Sequence, residues 1–232
     1  MKNKFLNFFR GENQSFYTGV FFNSLPIYIK KYIYIKRFLN YLDKDILLKI
    51  LSLNKLKNVL VFDCGGNVGL WTDIFITFGH SVKVFEPSKA CYSYINNRFN
   101  GNSNVEVFPI ALSNFKGRQQ FYNGNSTFSE SGSLNMLKNN VSDINFSSVN
   151  VDKLSTYIRR YNPNFVKVDV EGSEIEILED LLLNLTNEEI LGSFFAIETH
   201  EKKIQGLDKK LQILKKEISD RGLAKSFNFN WR

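Results

Sequence analysis

Val59-Leu60-Val61-Phe62-Asp63-Cys64-Gly65-Gly66-Asn67-Val68-Gly69 is the stretch on which the fold turns. Val59 to Asp63 is a short apolar run bounded by glycine, the pattern of a buried strand, and Val68 to Phe78 follows with helical spacing. Between them the glycines allow a tight turn. The same step repeats downstream: Ser81 to Glu86 predicts a strand, Ser88 to Phe99 a helix and Val105 to Ile110 a strand. After an interruption the order resumes, with Phe165 to Asp169 a strand, Ser173 to Leu183 a helix, Ser193 to Glu198 a strand and Leu207 to Arg221 a helix. A closing strand, Lys225 to Trp231, puts Phe227, Phe229 and Trp231 on one face. Strands alternating with helices in this way predict an α/β fold, a mostly parallel sheet with helices on both faces.

The flanking and interrupting segments differ in character. The chain has 232 residues, more than the ~150 of a typical domain, so one domain with an appendage is expected. A composition shift near Asn54 divides residues 1–55 from 56–232. The appendage is aromatic and basic, with Tyr28, Tyr32 and Tyr34 beside Lys30, Lys31, Lys36 and Arg37, and Asp43 to Leu53 has the spacing of an amphipathic helix. It suits either docking on an anionic membrane or nucleic acid, or a pair of helices that cap the core with snorkelling lysines; the second is preferred. Ser113 to Ser148 breaks the rhythm with turn residues around Gly117, Gly124 and Gly132, and an edge hairpin is expected through Gln119 to Tyr122. It reads as an insertion over the top of the sheet, near an acceptor. Asp152 to Arg160 is expected to be helical.

Composition narrows the class. Hydrophobic residues at 43% and charged residues at 23% fill a core and exclude a disordered polymer. Two cysteines, Cys64 and Cys91, are too few for a disulfide framework and fit no zinc spacing, which favours a reducing, cytoplasmic compartment. The net charge of +7 and pI near 9.2 favour anionic partners without choosing among them. No apolar run reaches the ~18 residues of a membrane span. Met1 to Arg10 has no signal-peptide pattern, since Arg10, Glu12 and Asn13 interrupt it and no small-residue cleavage site follows. A soluble or peripheral protein is expected, at most peripheral to the inner face of a membrane.

Ligands of open α/β sheets bind beyond the carboxyl ends of the strands. The first strand ends at Asp63 and its glycine-rich turn; the second ends at Glu86, 23 positions later, about where dinucleotide folds place an acid for ribose hydroxyls. A G-x-G-x-x-G fingerprint counted from Gly65 fails at Asn67 and Leu70. An incomplete glycine set preceded by an acid suits a nucleoside without pyrophosphate, whose amino group Asp63 meets directly or through water; S-adenosylmethionine fits that description. In Phe165-Val166-Lys167-Val168-Asp169-Val170-Glu171-Gly172, alternation places Lys167, Asp169 and Glu171 on one side if the strand extends that far. Buried charges must be paired, so this is a self-neutralising cluster or a reacting centre; the latter is favoured. Glu198 and His200 end the next strand, His200 being equally a base, a ligand or a loop residue, whereas His80 lies at the opposite edge and is incidental.

Val61 to Thr72 (VFDCGGNVGLWT), VFEPSK at 84–89, ALSNFKG at 111–117, SGSL at 131–134, FVKVDVEGSEIEIL at 165–178 and AIETH at 196–200 together resemble an FkbM-type methyltransferase, over roughly residues 58–200. The KVDVEGSE segment is the most distinctive of the six. The resemblance implies a Rossmann-like class I methyltransferase sheet and S-adenosylmethionine-dependent O-methylation, often of a sugar or natural-product hydroxyl, with S-adenosylhomocysteine as product. It implies that Asp63, Gly65, Gly66, Asn67 and Gly69 hold the methionine part, Glu86 the ribose, and Ala111, Leu112 and Ser113 the adenine, while Asp169 and Glu171 face the acceptor. Cys64 stands where a small aliphatic residue is more usual, and one closing strand replaces the superfamily's hairpin.

Methyl transfer from a sulfonium is an in-line displacement, so positioning does most of the work. Asp169, Glu171 or His200 is expected to accept the hydroxyl proton, Asp169 first, with Lys167 beside it. Asp169, Glu198 and His200 also permit a divalent metal, which nothing demands. The expected acceptor is a small molecule or glycan, lipid-linked or polymeric glycans included. Methylation of RNA ranks lower: the fourth strand lacks a Pro-Pro-aromatic motif and no cysteine is placed as a nucleophile, which leaves ribose 2′-O-methylation by Lys167 or Lys202 with Asp169. A non-catalytic cofactor-binding protein would have eroded strand ends, and these are intact.

Overall fold

The computed structural model describes residues 24–41, 44–53, 55–123, 132–134, 146–199 and 207–229. Gly124, His200, Lys202 and Trp231 lie outside them. Two helices, α1 (Ile27–Tyr41) and α2 (Lys44–Leu53), precede a run of alternating strands and helices: β1 (Leu60–Cys64), α3 (Leu70–Thr77), β2 (Ser81–Phe85), α4 (Lys89–Arg98), β3 (Val105–Phe108), β4 (Ile110–Ser113), β5 (Gly117–Tyr122) and β6 (Phe146–Lys153). There follow α5 (Leu154–Tyr161), β7 (Phe165–Val168), α6 (Glu174–Asn184), α7 (Asn187–Leu191), β8 (Phe194–Ile197), α8 (Leu207–Asp220), a 3-10 turn (Ala224–Ser226) and β9 (Phe227–Phe229).

The main sheet has the order β3-β2-β1-β7-β8-β9, and every neighbouring pair is parallel. Its inner strands are buried on both faces, as parallel sheets require, so they read as continuous apolar runs. Side chains alternate between two cores. Phe62, Phe85, Val166, Val168, Phe195 and Ile197 pack on one side against α5, α6 and α8; Val61, Val82, Val84, Phe165 and Ala196 pack on the other against α2, α3 and α4. The chain runs β1 to β3 towards one edge and β7 to β9 towards the other. The reversal leaves a crevice at the carboxyl ends of β1 and β7, the position where such sheets bind ligands.

The Rossmann-like expectation holds, and three details are corrected. The strand expected over Val105 to Ile110 divides at Pro109, which has no N–H to give the ladder, and Ile110–Ser113 enters a second sheet. Within the segment expected as an insertion, the described residues 117–122 and 146–148 belong to that three-stranded sheet, β4-β6-β5, and the strand expected through Gln119 to Tyr122 pairs antiparallel with β6. The helix expected from Asp152 starts at Leu154 instead, because buried Val149 and Val151 alternate with exposed Ser148 and Asn150 and keep the chain extended to Lys153. The closing strand starts at Phe227 rather than Lys225, after the 3-10 turn, and pairs with the four-residue β8 through Phe229, the last described residue; Phe227 stacks on Phe195 at 4.8 Å. The short helix α7, held by a Thr186–Glu189 capping box, was not anticipated.

The appendage helices cap the second core. Ile46, Ile50 and Leu53 of α2 are buried under the sheet, and Tyr34 of α1 packs with Ile74 of α3 and with Phe78, which caps its carboxyl end. No helix among the described residues is long and apolar enough to cross a membrane.

Candidate active site

The crevice is built around one buried ammonium. Parallel pairing sets Asp63 of β1 directly beside Lys167 of β7. The Lys167 Nζ lies 3.2 Å from the Asp63 carboxylate and 3.7 Å from that of Asp169, and donates to the carbonyls of Gly65 at 2.8 Å and Cys64 at 3.3 Å. Asp63 is 0% exposed, and its second oxygen accepts from the Thr72 hydroxyl at 2.7 Å. Lys167 thus ties the glycine-rich turn to the end of β7. The expected alternation through Glu171 stops at Val168: Asp169 still donates its N–H to the Cys64 carbonyl, but Glu171 has φ 60 and Gly172 φ 131, so the chain turns away. The Glu171 carbonyl accepts from the Ser133 hydroxyl at 2.6 Å, which brings the second sheet's edge to this turn.

Glu86 closes the other wall. Its two carboxylate oxygens accept from the backbone N–H of Asn67 at 2.7 Å and of Ser88 at 2.8 Å. Burial pushes its carboxyl up to about 7, against the pull of those two N–H groups. Ser88 caps α4, and Asn67 occupies the left-handed region at φ 48, which asparagine tolerates.

A family model, the methyltransferase FkbM domain, matches residues 63–215. The chain belongs to the FkbM methyltransferase family. Comparison with the curated proteins and with solved structures returns no match.

The glycines of this FkbM domain are required first by its own packing. A Cβ on Gly65, at φ 80, would lie 1.9 Å from the Asp169 carbonyl oxygen, and one on Gly66 would lie 2.3 Å from a Val84 methyl. Gly65 therefore lets the turn rest against the backbone of β7's end. Asn67 and Gly69 complete the turn, with the Gly69 N–H bonded to the Gly66 carbonyl at 2.8 Å.

The remaining expected residues are placed as follows. Ala111, Leu112 and Ser113 are buried in β4, where the Leu112 carbonyl accepts from Ser173 at the start of α6. Glu198 follows β8, its N–H bonded to the Val168 carbonyl at 2.9 Å. No cluster of three His, Cys, Asp or Glu suited to a metal occurs among the described residues, and His200 lies outside them. Cys64 and Cys91 are free and buried; burial raises both thiols, Cys91 to about 11, so neither is a ready nucleophile.

Sequence reasoning missed a second buried network. The Tyr34 hydroxyl of α1 donates to Asp73 of α3, Asp73 lies 3.4 Å from Arg98 of α4, and Arg98 donates to the carbonyls of Val68 at 3.1 Å and Gly69 at 3.3 Å. The appendage thereby reaches the back of the glycine-rich turn. A lone charge in the mostly apolar Leu70-Trp71-Thr72-Asp73-Ile74-Phe75 was the available signal, since a buried carboxylate demands a partner.

The site's polar groups fit a nucleoside donor. A carboxylate has about four acceptor positions; backbone N–H groups take two of those on Glu86, which leaves two acceptor positions, the number that the two hydroxyls of a ribose would use.

Proposed function

We propose that this FkbM domain is an S-adenosylmethionine-dependent O-methyltransferase acting on a hydroxyl of a sugar, a glycan or a small natural product. The observation that carries the reading is the contact of the Gly65 turn with the Asp169 backbone, which makes the cofactor wall and the candidate base neighbours. The cofactor supplies a methyl group made electrophilic by its sulfonium. Glu86 holds the ribose diol, and the turn from Gly65 to Gly69 backs the methionine part. Asp63 is 0% exposed and engaged by the Thr72 hydroxyl and the Lys167 ammonium, so it acts by holding Lys167 and the turn. Asp169 orients the acceptor hydroxyl and accepts its proton, while Lys167, 3.7 Å from the Asp169 carboxylate, holds that carboxylate in place. Glu171, on its left-handed turn, borders the acceptor side beside Ser133.

Radiolabelled methyl transfer to separated cell glycans, small molecules, lipids and RNA tests the reading. Label is expected in an alkali-stable ether of the glycan or small-molecule fraction. Asp169→Asn is expected to lower turnover by about 10²-fold or more, the usual scale for a general base, with binding of S-adenosylhomocysteine retained. Full activity of that variant removes Asp169 as the base; label confined to RNA overturns the acceptor class.

A further inference from the structure

We infer that the outer face of α1 is a docking surface for an anionic lipid bilayer. Charge is the first observation. Residues 1–58 contain eleven Lys and Arg against three Asp and Glu, a net +8, whereas residues 59–232 contain nineteen against twenty. The whole positive excess of the chain thus belongs to the segment that carries α1 and α2.

The second observation is what accompanies the charge. Tyr28, Tyr32 and Lys36 recur every fourth residue, so they form one stripe along α1. All three are exposed, Tyr28 by 70% and Tyr32 by 60%, and the Lys36 ammonium lies 5.7 Å from the centre of the Tyr32 ring. Ile27 beside them is 58% exposed, and Leu48 of α2 and Leu56 after it are exposed as well, with Lys55 and Lys57 next to Leu56. Residues 24–41 contain no acid. Tyrosine rings at headgroup depth, aliphatic side chains just below and lysines reaching back to lipid phosphates are the composition of an interfacial helix.

That composition favours lipid over nucleic acid. Nine of the eleven cations in residues 1–58 are lysines, point charges suited to a fluid headgroup layer rather than the bidentate arginine fork that reads phosphate and base edges. Exposed isoleucine and leucine gain from a bilayer interface and gain nothing from a phosphate backbone. The opposite side of α1 is anchored: buried Tyr34 bonds Asp73, whose partner Arg98 holds the glycine-rich turn. A docked α1 therefore holds the crevice in a fixed relation to the lipid surface.

Co-sedimentation of the full chain with phosphatidylserine–phosphatidylcholine vesicles tests this. The proposal expects binding at low ionic strength, its loss at high ionic strength and none to phosphatidylcholine alone. The Tyr28→Ser/Tyr32→Ser/Lys36→Glu variant is expected to bind at least about tenfold more weakly, since each basic residue at an anionic surface contributes a several-fold factor. Lys36→Glu alone, at one exposed position, gives a smaller loss in the same direction. No sedimentation at low ionic strength, or undiminished binding by the triple variant, overturns the proposal. Tighter binding to single-stranded RNA than to vesicles, lost in the same variant, also overturns it and assigns the face to nucleic acid. Each readout is independent of methyl transfer, so its failure is distinguishable from failure of the catalytic reading.

Discussion

Replacing Lys167 by methionine removes the centre of the crevice while keeping its volume. The lost ammonium bonds two carbonyls, at 2.8 and 3.3 Å, and lies 3.2 Å from Asp63. Asp63 is then left at 0% exposure with the Thr72 hydroxyl as its donor among the described residues. Removing one partner of a buried ion pair costs about 3–5 kcal/mol, because the other charge stays desolvated. That is a large share of the roughly 5–15 kcal/mol that holds a domain folded. At about 2–4 °C per kcal/mol for a chain of this size, the expected fall in Tm is on the order of 10 °C. Asp63→Asn added to Lys167→Met removes the stranded charge and still accepts from Thr72, so the double variant is expected to recover about 2 kcal/mol or more. Urea unfolding with an unchanged m value is the assay. A single-variant cost below about 1 kcal/mol, or a double variant equal to the sum of the singles, refutes the claim that the pair is a buried, mutually dependent unit.

Three further outcomes follow from particular residues. Gly65→Ala should destabilise well beyond the roughly 1–2 kcal/mol of a left-handed alanine, because its Cβ meets the Asp169 carbonyl; Gly79→Ala, at φ 90 in open space, should cost only that backbone part, and equal losses in urea titrations would count against the close approach. Glu86 is pushed from 4.5 to about 7 mainly by burial, so the folded chain binds its proton more tightly than the unfolded one. The stability it contributes is full below about pH 4.5 and is lost as pH rises through about 7, roughly 3 kcal/mol in all, and Glu86→Gln should flatten that part of the urea-midpoint profile; an unaltered profile would contradict the burial argument. Tyr34→Phe removes a buried hydrogen bond to a carboxylate, worth about 1.5–3 kcal/mol, and should speed amide exchange at Asn67 and Gly69; unchanged protection there would break the link from α1 to the turn.

What was legible in the sequence is what local periodicity and punctuation encode. The apolar runs around Phe62, Val84 and Val166, each ended by an acid or a glycine, located the inner strands within a residue or two, and the carboxyl-end rule brought Asp63, Glu86 and Asp169 to one edge. What was not legible depends on register or distant partners. That Asp63 lies beside Lys167 follows only once β1 and β7 are paired, and that Asp73 bridges Tyr34 and Arg98 requires three helices to be in place. The alternation of Lys167 and Asp169 misled at Glu171, whose left-handed backbone no residue type announces. Pro109 was an available breaker within Val105 to Ile110, and the Val149–Val151 alternation an available strand signal before Leu154.

Calorimetric titration of the pure protein with S-adenosylhomocysteine, beside Glu86→Ala, tests the central claim most directly. The account predicts saturable one-to-one heat for the parent chain and sharply weaker binding for the variant. No heat from the parent, or equal affinity in both, would contradict it.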